Sequence, residues 1–558
     1  MARSPRLLLL LVLAACTGGD APTAAPPQPP PPPAAPTVEL RISYGSEKKD
    51  WFEDEIAQFE STHPKLASGK AIHVVATAQG SGEAMLDILS GKATPQVYSP
   101  ASSAYLSLLN DAWLQQAGHT APLTTGGDPL ILSPVVIAMW KPMAEALGWP
   151  NKPLGWKTLL KVSADAKGWG TYGHPEWGMF KLGHTHPGLS NSGLLAVLAE
   201  VYAGAGKTRG LSDADLSAPA TAKFLSAVEA SLVHYGKSTA FLSDKMSERG
   251  PSYVSAAVLY ENLVVESYKK PAEMPLVAVY PVEGTFWSDH PYAVLDAPQT
   301  GPDEREAAKQ LGDFLHSKPA QEAALTYGFR PADPAIPIAA PIDAEHGADA
   351  RQPQTLLDVP DGPTLSKVLK LWEDNKKPAE VVLVFDKSGS MRGAPLEKAK
   401  AGANAFLDSL GDRDQVSTLF FDTTVAAPTE PVALGGGGRD ALKAQVSGAI
   451  ADGGTALYDA VSVAFQAETA RAAASPGTIH AVVVMTDGND ENSKSNLATL
   501  RASLSANAEA PVKVFAIGYG AGADPTALQA IADSGKGSFA AGDQGDIDAV
   551  FRDMAAFF

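Results

Sequence analysis

Apolar residues in this chain fall in short runs that stop abruptly at polar loops, a pattern that predicts strands alternating with helices. From the amino side, VELRISYGS (Val38–Ser46) reads as a first strand and AIHVVATAQG (Ala71–Gly80) as a second, running into Gly80-Ser81-Gly82. Between them, WFEDEIAQFE (Trp51–Glu60) carries its apolar residues at helical spacing, with Pro64 just beyond. A helix through Ser90 and a short strand at Gln96–Tyr98 come next. LILSPVVIAMW (Leu130–Trp140) is a longer run interrupted by Pro134, which predicts a strand entering a new lobe and not one central strand. Alternation continues through MFKLGHT (Met179–Thr185), SAAVLYEN (Ser255–Asn262) and LVAVYPVEG (Leu276–Gly284). Such alternation predicts an α/β architecture with parallel sheets. PTLSKVLKLWEDNKKPAE then reads as a final helix and a short link.

Further strands are predicted at Val381–Phe385, Val416–Phe421, Ala481–Met485 and Val512–Ile517. Helices at about Pro395–Leu410, Arg439–Ala451, Thr455–Ala473, Ser495–Ala506, Pro525–Asp533 and Asp546–Phe558 would cover both faces of their sheet. In open α/β sheets ligands sit at the carboxyl ends of the strands. There the sequence VVLVFDKSGSMRG places Asp386, Ser388 and Ser390, and HAVVVMTDGND places Asp487. DGGTALYDA (Asp452–Ala460) adds Thr455 on a loop near a helix start. Carboxylates and hydroxyls without His or Cys make a hard oxygen cradle, suited to Mg²⁺, Mn²⁺ or Ca²⁺. D-x-S-x-S alone is weak, because Asp and Ser crowd turns for backbone reasons; the two further segments strengthen it.

These segments resemble a von Willebrand factor A (VWA) domain with its metal-ion-dependent adhesion site. The family motif D-x-S-x-S…T…D maps onto Asp386, Ser388, Ser390, Thr455 and Asp487 in order. The resemblance implies a Rossmann-like, doubly wound domain over 377–558 and a bound divalent cation. Ser388 and Ser390 would supply oxygens directly; Asp386, Thr455 and Asp487 would do so directly or through water. Mg²⁺ takes six oxygens at ~2.1 Å, so at least one position is left to water or to an acidic side chain from a protein partner. Lys387 sits beside the motif, and its long stem is expected to carry the ammonium outward. Asp422, at the end of the neighbouring strand, is either a partner of the cradle or a cap.

Upstream, GSGEAMLDILSGKATPQVYSPASS, GHTHPGLSNSGLLAVLAEVYAGAGKTRG and YENLVVE resemble the type 2 periplasmic solute-binding proteins. That implies two hinged lobes over 38–376 with a small polar solute between them. GFRP (Gly328–Pro331) marks the usual end of the second return. Ser46, Ser81, Ser99, Ser190 and Ser192, by loop position, and Glu261, at a strand end, are the candidate solute contacts. Each of those serines has an equally simple use as a helix N-cap. The whole chain resembles bacterial lipoproteins that join such a module to a carboxyl-terminal VWA domain.

The amino terminus fits that grouping. Residues 1–16, MARSPRLLLLLVLAAC, carry Arg3 and Arg6 and then a leucine-rich run too short for a bilayer span, which needs ~20 residues. Leu13-Ala14-Ala15-Cys16 resembles a lipobox, which implies that Cys16 is lipidated and anchors the chain to a membrane on its extracytoplasmic side. Thr17 rather than Asp after Cys16 points, by the same resemblance, to the outer membrane where there are two. Residues 17–37 with PPQPPPPPAAP then form a polyproline tether of ~3 Å per residue. Cys16 is the single cysteine, so no internal disulfide can form.

Composition narrows the partners. The 558 residues carry a net charge of −18, which excludes a nucleic-acid footprint. GAGKT (Gly204–Thr208) is no P-loop, because the first glycine of that motif would fall at Val201 and a helix, not a strand, precedes it. His174, His184 and His186 lack a thiolate and a shared regular element, so they do not make a zinc set together. GYGAGAD (Gly518–Asp524) lacks dinucleotide spacing and reads as a turn. No nucleophile–base set declares itself, so the expectation is a non-enzymatic, membrane-anchored binding protein that meets a protein partner through a cation. The alternatives are the solute receptor of an ABC-type importer, or a sensor that couples solute binding to the VWA surface.

Overall fold

The computed structural model describes residues 36–270, 274–475, 477–506, 512–519, 522–541, 550, 554 and 557–558. The expected signal segment, Cys16 and the expected tether up to residue 35 lie outside the described residues, as do Gly520 and Ala521 and most of the expected helix at 546–558.

The strand Thr37–Gly45 buries Val38, Leu40 and Ile42 in alternation, as a strand covered by helices on one side must. It pairs in parallel with Ala71–Gln79 and with Val97–Ser99. Pro291–Val294 returns antiparallel beside Val97–Ser99, and Asp128–Pro129 closes that edge. The helix Lys49–Ser61 covers this first lobe with buried Trp51, Phe52 and Phe59. Ser46, expected as the last residue of this strand, lies beyond it and opens a 3-10 turn, Ser46–Lys48.

Pro134 does not break its strand. Ile131–Trp140 is continuous and enters the second lobe as expected, where it lies second in the strand order and Ala256–Tyr260 is the middle strand. Pro134 sits opposite Trp287 of the two-residue strand Trp287–Ser288, ahead of Val135, the first residue paired with Tyr260 on the other side. Its missing N–H therefore falls one residue before the ladder with Ala256–Tyr260 begins. Ile131–Trp140 runs antiparallel to Ala256–Tyr260 and to Leu276–Val279. Leu182–Thr185 is parallel to Ala256–Tyr260 and to Leu232–Gly236. Both lobes therefore hold mixed sheets where parallel ones were expected. The crossing strand arrives directly from the first lobe without a crossover helix, so nothing enforces the parallel direction.

The carboxyl-terminal sheet has the order Val432–Ala433, Gln415–Phe421, Ala379–Asp386, Ile479–Thr486, Val512–Gly518, Lys536–Ala541. All are parallel except the short edge pair with Val432–Ala433. Ala379–Asp386 and Ile479–Thr486 are buried at every position, which is why each reads as an unbroken apolar run. Helices Ala394–Ser409, Gly438–Ser447, Leu457–Ala474, Leu497–Ser505 and Pro525–Ser534 lie close to the expected spans. The architecture is thus a two-lobed α/β module followed by a doubly wound domain.

One helix ties these parts together. Gly362–Asn375, capped by Asp361 through the Thr364 N–H at 3.0 Å, packs on Ala104–Gln115 of the first lobe. It also packs on Asn191–Ala205 and Pro219–Glu229 of the second lobe, and the chain then runs into strand Ala379–Asp386. Among the described residues no helix is long and apolar enough to cross a membrane.

Candidate functional site

The central strands Ala379–Asp386 and Ile479–Thr486 end side by side, which brings Asp386 and Asp487 to one rim of the sheet. Asp386 is wholly buried and Asp487 is 6 % exposed. Asp386 Oδ1 accepts the Ser388 N–H at 2.7 Å, folding the loop back over the strand end, and Oδ2 accepts the Thr486 hydroxyl at 2.5 Å. Ser388 Oγ and Ser390 Oγ stand 3.0 Å apart, and Ser390 donates to Asp487 Oδ1 at 2.8 Å. Thr455 closes the ring: a Cβ on Gly488 would lie 3.4 Å from both Ser390 Oγ and Thr455 Oγ1. All five residues expected in the cradle therefore converge around Gly488.

The oxygen spacings fit a small hard cation. Octahedral Mg²⁺ with ~2.1 Å bonds needs neighbouring oxygens about 3.0 Å apart, close to the separations seen here. Two buried acids side by side also favour a cation between them. Burial pushes the Asp386 carboxyl up to about 6, against the lowering effect of the Thr486 and Ser388 hydrogen bonds, and the nearby Asp487 carboxylate adds to the rise.

Loop-to-loop backbone bonds hold the cradle. Gly389 N–H donates to Gly453 O at 2.8 Å and Asp452 N–H to Lys387 O at 2.8 Å, pinning the first loop to the second. Thr455 N–H donates to Asn492 Oδ1 at 3.0 Å, while Thr455 O accepts the Glu491 and Asn492 N–H groups at 2.9 Å each, pinning the second to the third. Lys387 turns away from the oxygens to an ion pair with Asp422, whose carboxyl it holds below the ordinary range. Asp422 also accepts from the Thr424 N–H and hydroxyl, so it caps its own turn as well as holding the lysine. Thr486, Gly488 and Asn492 were not singled out from sequence; their one signal was nearness to Asp487.

The candidate solute residues lie along the seam between the lobes, and most are engaged within the protein. Ser81 Oγ accepts the Ala101 N–H at 3.0 Å. Ser190 Oγ lies 3.2 Å from Thr239 Oγ1, and Ser192 Oγ lies 2.8 Å from both Thr185 Oγ1 and Thr239 Oγ1. Glu261 is buried in an ion pair with Arg330 at 2.6 and 2.7 Å. Ser99 passes its carbonyl to Lys48 Nζ at 2.8 Å, while its buried hydroxyl has no partner among the described residues. Ser46 is half-buried at the start of its turn.

The lobes also touch backbone to backbone. Gly82 and Glu83 N–H groups, at the start of helix Ser81–Leu89 in the first lobe, donate to Leu189 O of the second at 2.9 and 3.1 Å. A Cβ at Gly82 would meet Gly188 O at 2.2 Å, so only glycine permits this approach. The donors that a helix start offers an anion are here given to the protein's own carbonyl.

Residues 40–330 match the bacterial extracellular solute-binding protein family, and residues 379–540 match the von Willebrand factor type A domain. An uncharacterized Synechocystis protein, sll0103, is 28% identical over 165 residues, covering 30% of this chain and 38% of that protein. Human inter-alpha-trypsin inhibitor heavy chain H4 is 27% identical over 148 residues, covering 26% of this chain and 16% of its own length. This chain thus spans less than half of either relative. Among solved structures, a von Willebrand factor type A protein from Catenulispora acidiphila superposes with TM-score 0.28 and 24% identity over 32% of this chain and 42% of that one. The periplasmic binding protein AfuA from Actinobacillus pleuropneumoniae does so with TM-score 0.43 and 14% identity, over 62% of this chain and 100% of that one.

Proposed function

We propose, on the premise that this chain belongs to the bacterial extracellular solute-binding protein family and carries a VWA domain behind that module, that it is a lipid-anchored extracytoplasmic binding protein whose VWA domain engages a protein partner through a divalent cation. The observation carrying this reading is the run of oxygens from Ser388 through Ser390 to Asp487, with separations of 3.0 and 2.8 Å, with Asp386 bonded to the Ser388 N–H and Thr455 beside it. When bound, Mg²⁺ supplies a divalent charge with at least one open position for an incoming carboxylate. The chain's own part is to hold five oxygens in register from three loops, with Lys387 drawn aside by Asp422. Both matched families are binding domains, and no catalytic role is assigned to any residue.

Calorimetry of Mg²⁺ and Mn²⁺ on the protein tests the cation. Uptake near one ion per cradle, lost in Asp386→Ala, is expected; heat that does not change in that variant sinks the reading. Capture of a partner from envelope extract should disappear with chelator and return with Mg²⁺. A second reading, that lobe position biases the VWA surface, rests on helix Gly362–Asn375, which packs on both lobes immediately before strand Ala379–Asp386. It requires that forcing the lobes apart alter Mg²⁺ affinity; unchanged affinity removes it.

A further inference from the structure

We propose that His184, Glu200 and Glu229 form a second cation site, buried in the second lobe and suited to a borderline divalent metal, zinc foremost.

The three residues come from three elements: strand Leu182–Thr185, helix Asn191–Ala205 and helix Pro219–Glu229. All are fully buried, and one ligand atom from each lies within 4.8 Å of the other two. His184 Nδ1 faces Thr185 O at 2.7 Å. A carbonyl only accepts, so Nδ1 carries the hydrogen, and in the neutral ring the Nε2 lone pair points at Glu229 Oε1, 3.0 Å away. Two acceptors face one another there unless something positive lies between them. Metal-bound imidazoles commonly have this arrangement, with the other ring nitrogen donating to a backbone carbonyl. Glu229 has the matching support, its Oε2 accepting the Tyr235 hydroxyl at 2.6 Å.

Glu200 supplies an independent observation. Both of its oxygens are buried, and no N–H or hydroxyl donor among the described residues bonds to either, the polar group it faces being the Glu229 carboxyl. No lysine or arginine among the described residues pairs with Glu200 or Glu229, and His184, the basic side chain beside Glu229, offers it a positive charge only when protonated. Two carboxylates and a neutral imidazole around a divalent ion sum to zero charge, the state a dry interior tolerates. One nitrogen and two oxygens are a zinc-type donor set rather than a magnesium one. Tetrahedral ligands at ~2.1 Å from zinc stand about 3.4 Å apart, and Glu200, held by no N–H or hydroxyl donor, can move to close the set. His174 and His186 take no part: the first stacks on Trp177 and the second packs against Trp372.

The test uses the full chain, expressed with added zinc and washed with chelator to clear the oxygen cradle. Metal analysis should find about one zinc per chain, retained in Asp386→Ala and reduced to background in Glu200→Gln and His184→Gln. Growth with Co²⁺ in place of zinc provides a readout without any substitution. A nitrogen-ligated four-coordinate cobalt gives visible absorption bands that an all-oxygen site does not match in intensity, so the proposal holds even where the variants fail to fold. Zinc-free, colourless unmutated protein overturns it and leaves a pair of carboxyls sharing a proton. Zinc that vanishes in Asp386→Ala but stays in Glu200→Gln overturns it too, by placing the ion in the cradle.

Discussion

Gly488 is the residue on which the cradle closes, because its missing side chain leaves room between Ser390 and Thr455. In Gly488→Ala the new methyl makes ordinary contact at 3.4 Å with both hydroxyls, so the fold should lose no more than about 0.5 kcal/mol. The methyl nevertheless occupies ground shared with the cation, and Mg²⁺ affinity should fall at least about tenfold by calorimetry; undiminished affinity would mean the ion sits elsewhere. Glu266, on helix Glu261–Ser267, carries a pH prediction. Burial pushes its carboxyl up to about 8, against the lowering effect of Lys269, and Asp50 and Asp244 add to the rise. A carboxyl raised on folding contributes stability that is full below its unfolded value and is lost as pH rises through 8. Glu266→Gln should therefore flatten the fall in melting temperature between about pH 5 and 8.5 and, at the alkaline end, recover up to a few kcal/mol. An identical pH profile in the variant would show that Glu266 ionises freely. At this scale sequence reading works where a residue's role follows from its place at a strand end: Asp386, Ser388, Ser390 and Asp487 were legible because unbroken apolar runs lead into them. His184, Glu200 and Glu229 were not, since neither spacing nor motif joins them and only the packing of two helices on a strand does.

The elements that best matched expectation are those whose environment is uniform along their length. Ile479–Thr486, buried throughout, admits no reading but an inner strand. Lys536–Ala541 was missed because it is an edge strand whose Gly537 and Ser538 dilute the apolar signal, and Gly537 sits there because a Cβ would meet Val514 O at 2.0 Å. Pro134 interrupts the apolar run but not the strand, since it lies one residue before pairing with Ala256–Tyr260 begins. The seam between lobes is likewise invisible in sequence, because Ser81 and Ser190 look the same whether they face a solute or each other's loops. Its closure depends on helix Ser81–Leu89 meeting Leu189 O through Gly82 and Glu83. Gly82→Val places side-chain atoms where Gly188 O now lies, 2.2 Å from the Cβ position, and should hold the lobes apart. Small-angle scattering should then report a larger radius of gyration for the variant. Equal radii would mean that the loop at Gly188 yields instead of the lobes.

Hinged lobes move as bodies only when nothing else joins them, and here one helix does, while further contacts tie the second lobe to the VWA domain. Helix Gly362–Asn375 spans both lobes, and its Trp372, almost wholly buried, packs edge-on to His186 at 4.9 Å and Tyr235 at 5.4 Å between ring centres. The second lobe also grips the VWA domain directly. Arg249 Nη1 donates to Lys536 O at 2.7 Å and Nη2 to Gly537 O at 2.9 Å, capping carbonyls of the edge strand that the sequence pattern did not reveal. Lys376 Nζ donates to Phe558 O at 2.8 Å, Lys377 Nζ to Leu232 O at 3.2 Å, and Phe241 meets Phe557 edge-on at 5.7 Å. A single hydrophobic cluster accordingly runs from Tyr235 and Trp372 to Phe515 and Phe557. Residues that share one core unfold together, so the second lobe and the VWA domain should melt in one calorimetric transition. Arg249→Ala removes two charge-assisted bonds, each worth ~1.5–3 kcal/mol, while leaving the shared hydrophobic cluster in place. It should therefore lower the melting temperature of that one transition without dividing it, and Mg²⁺ should raise the whole transition because the cation binds only the folded state. Two resolved transitions in Arg249→Ala would show that the arginine, and not the shared apolar core, couples the second lobe to the VWA domain.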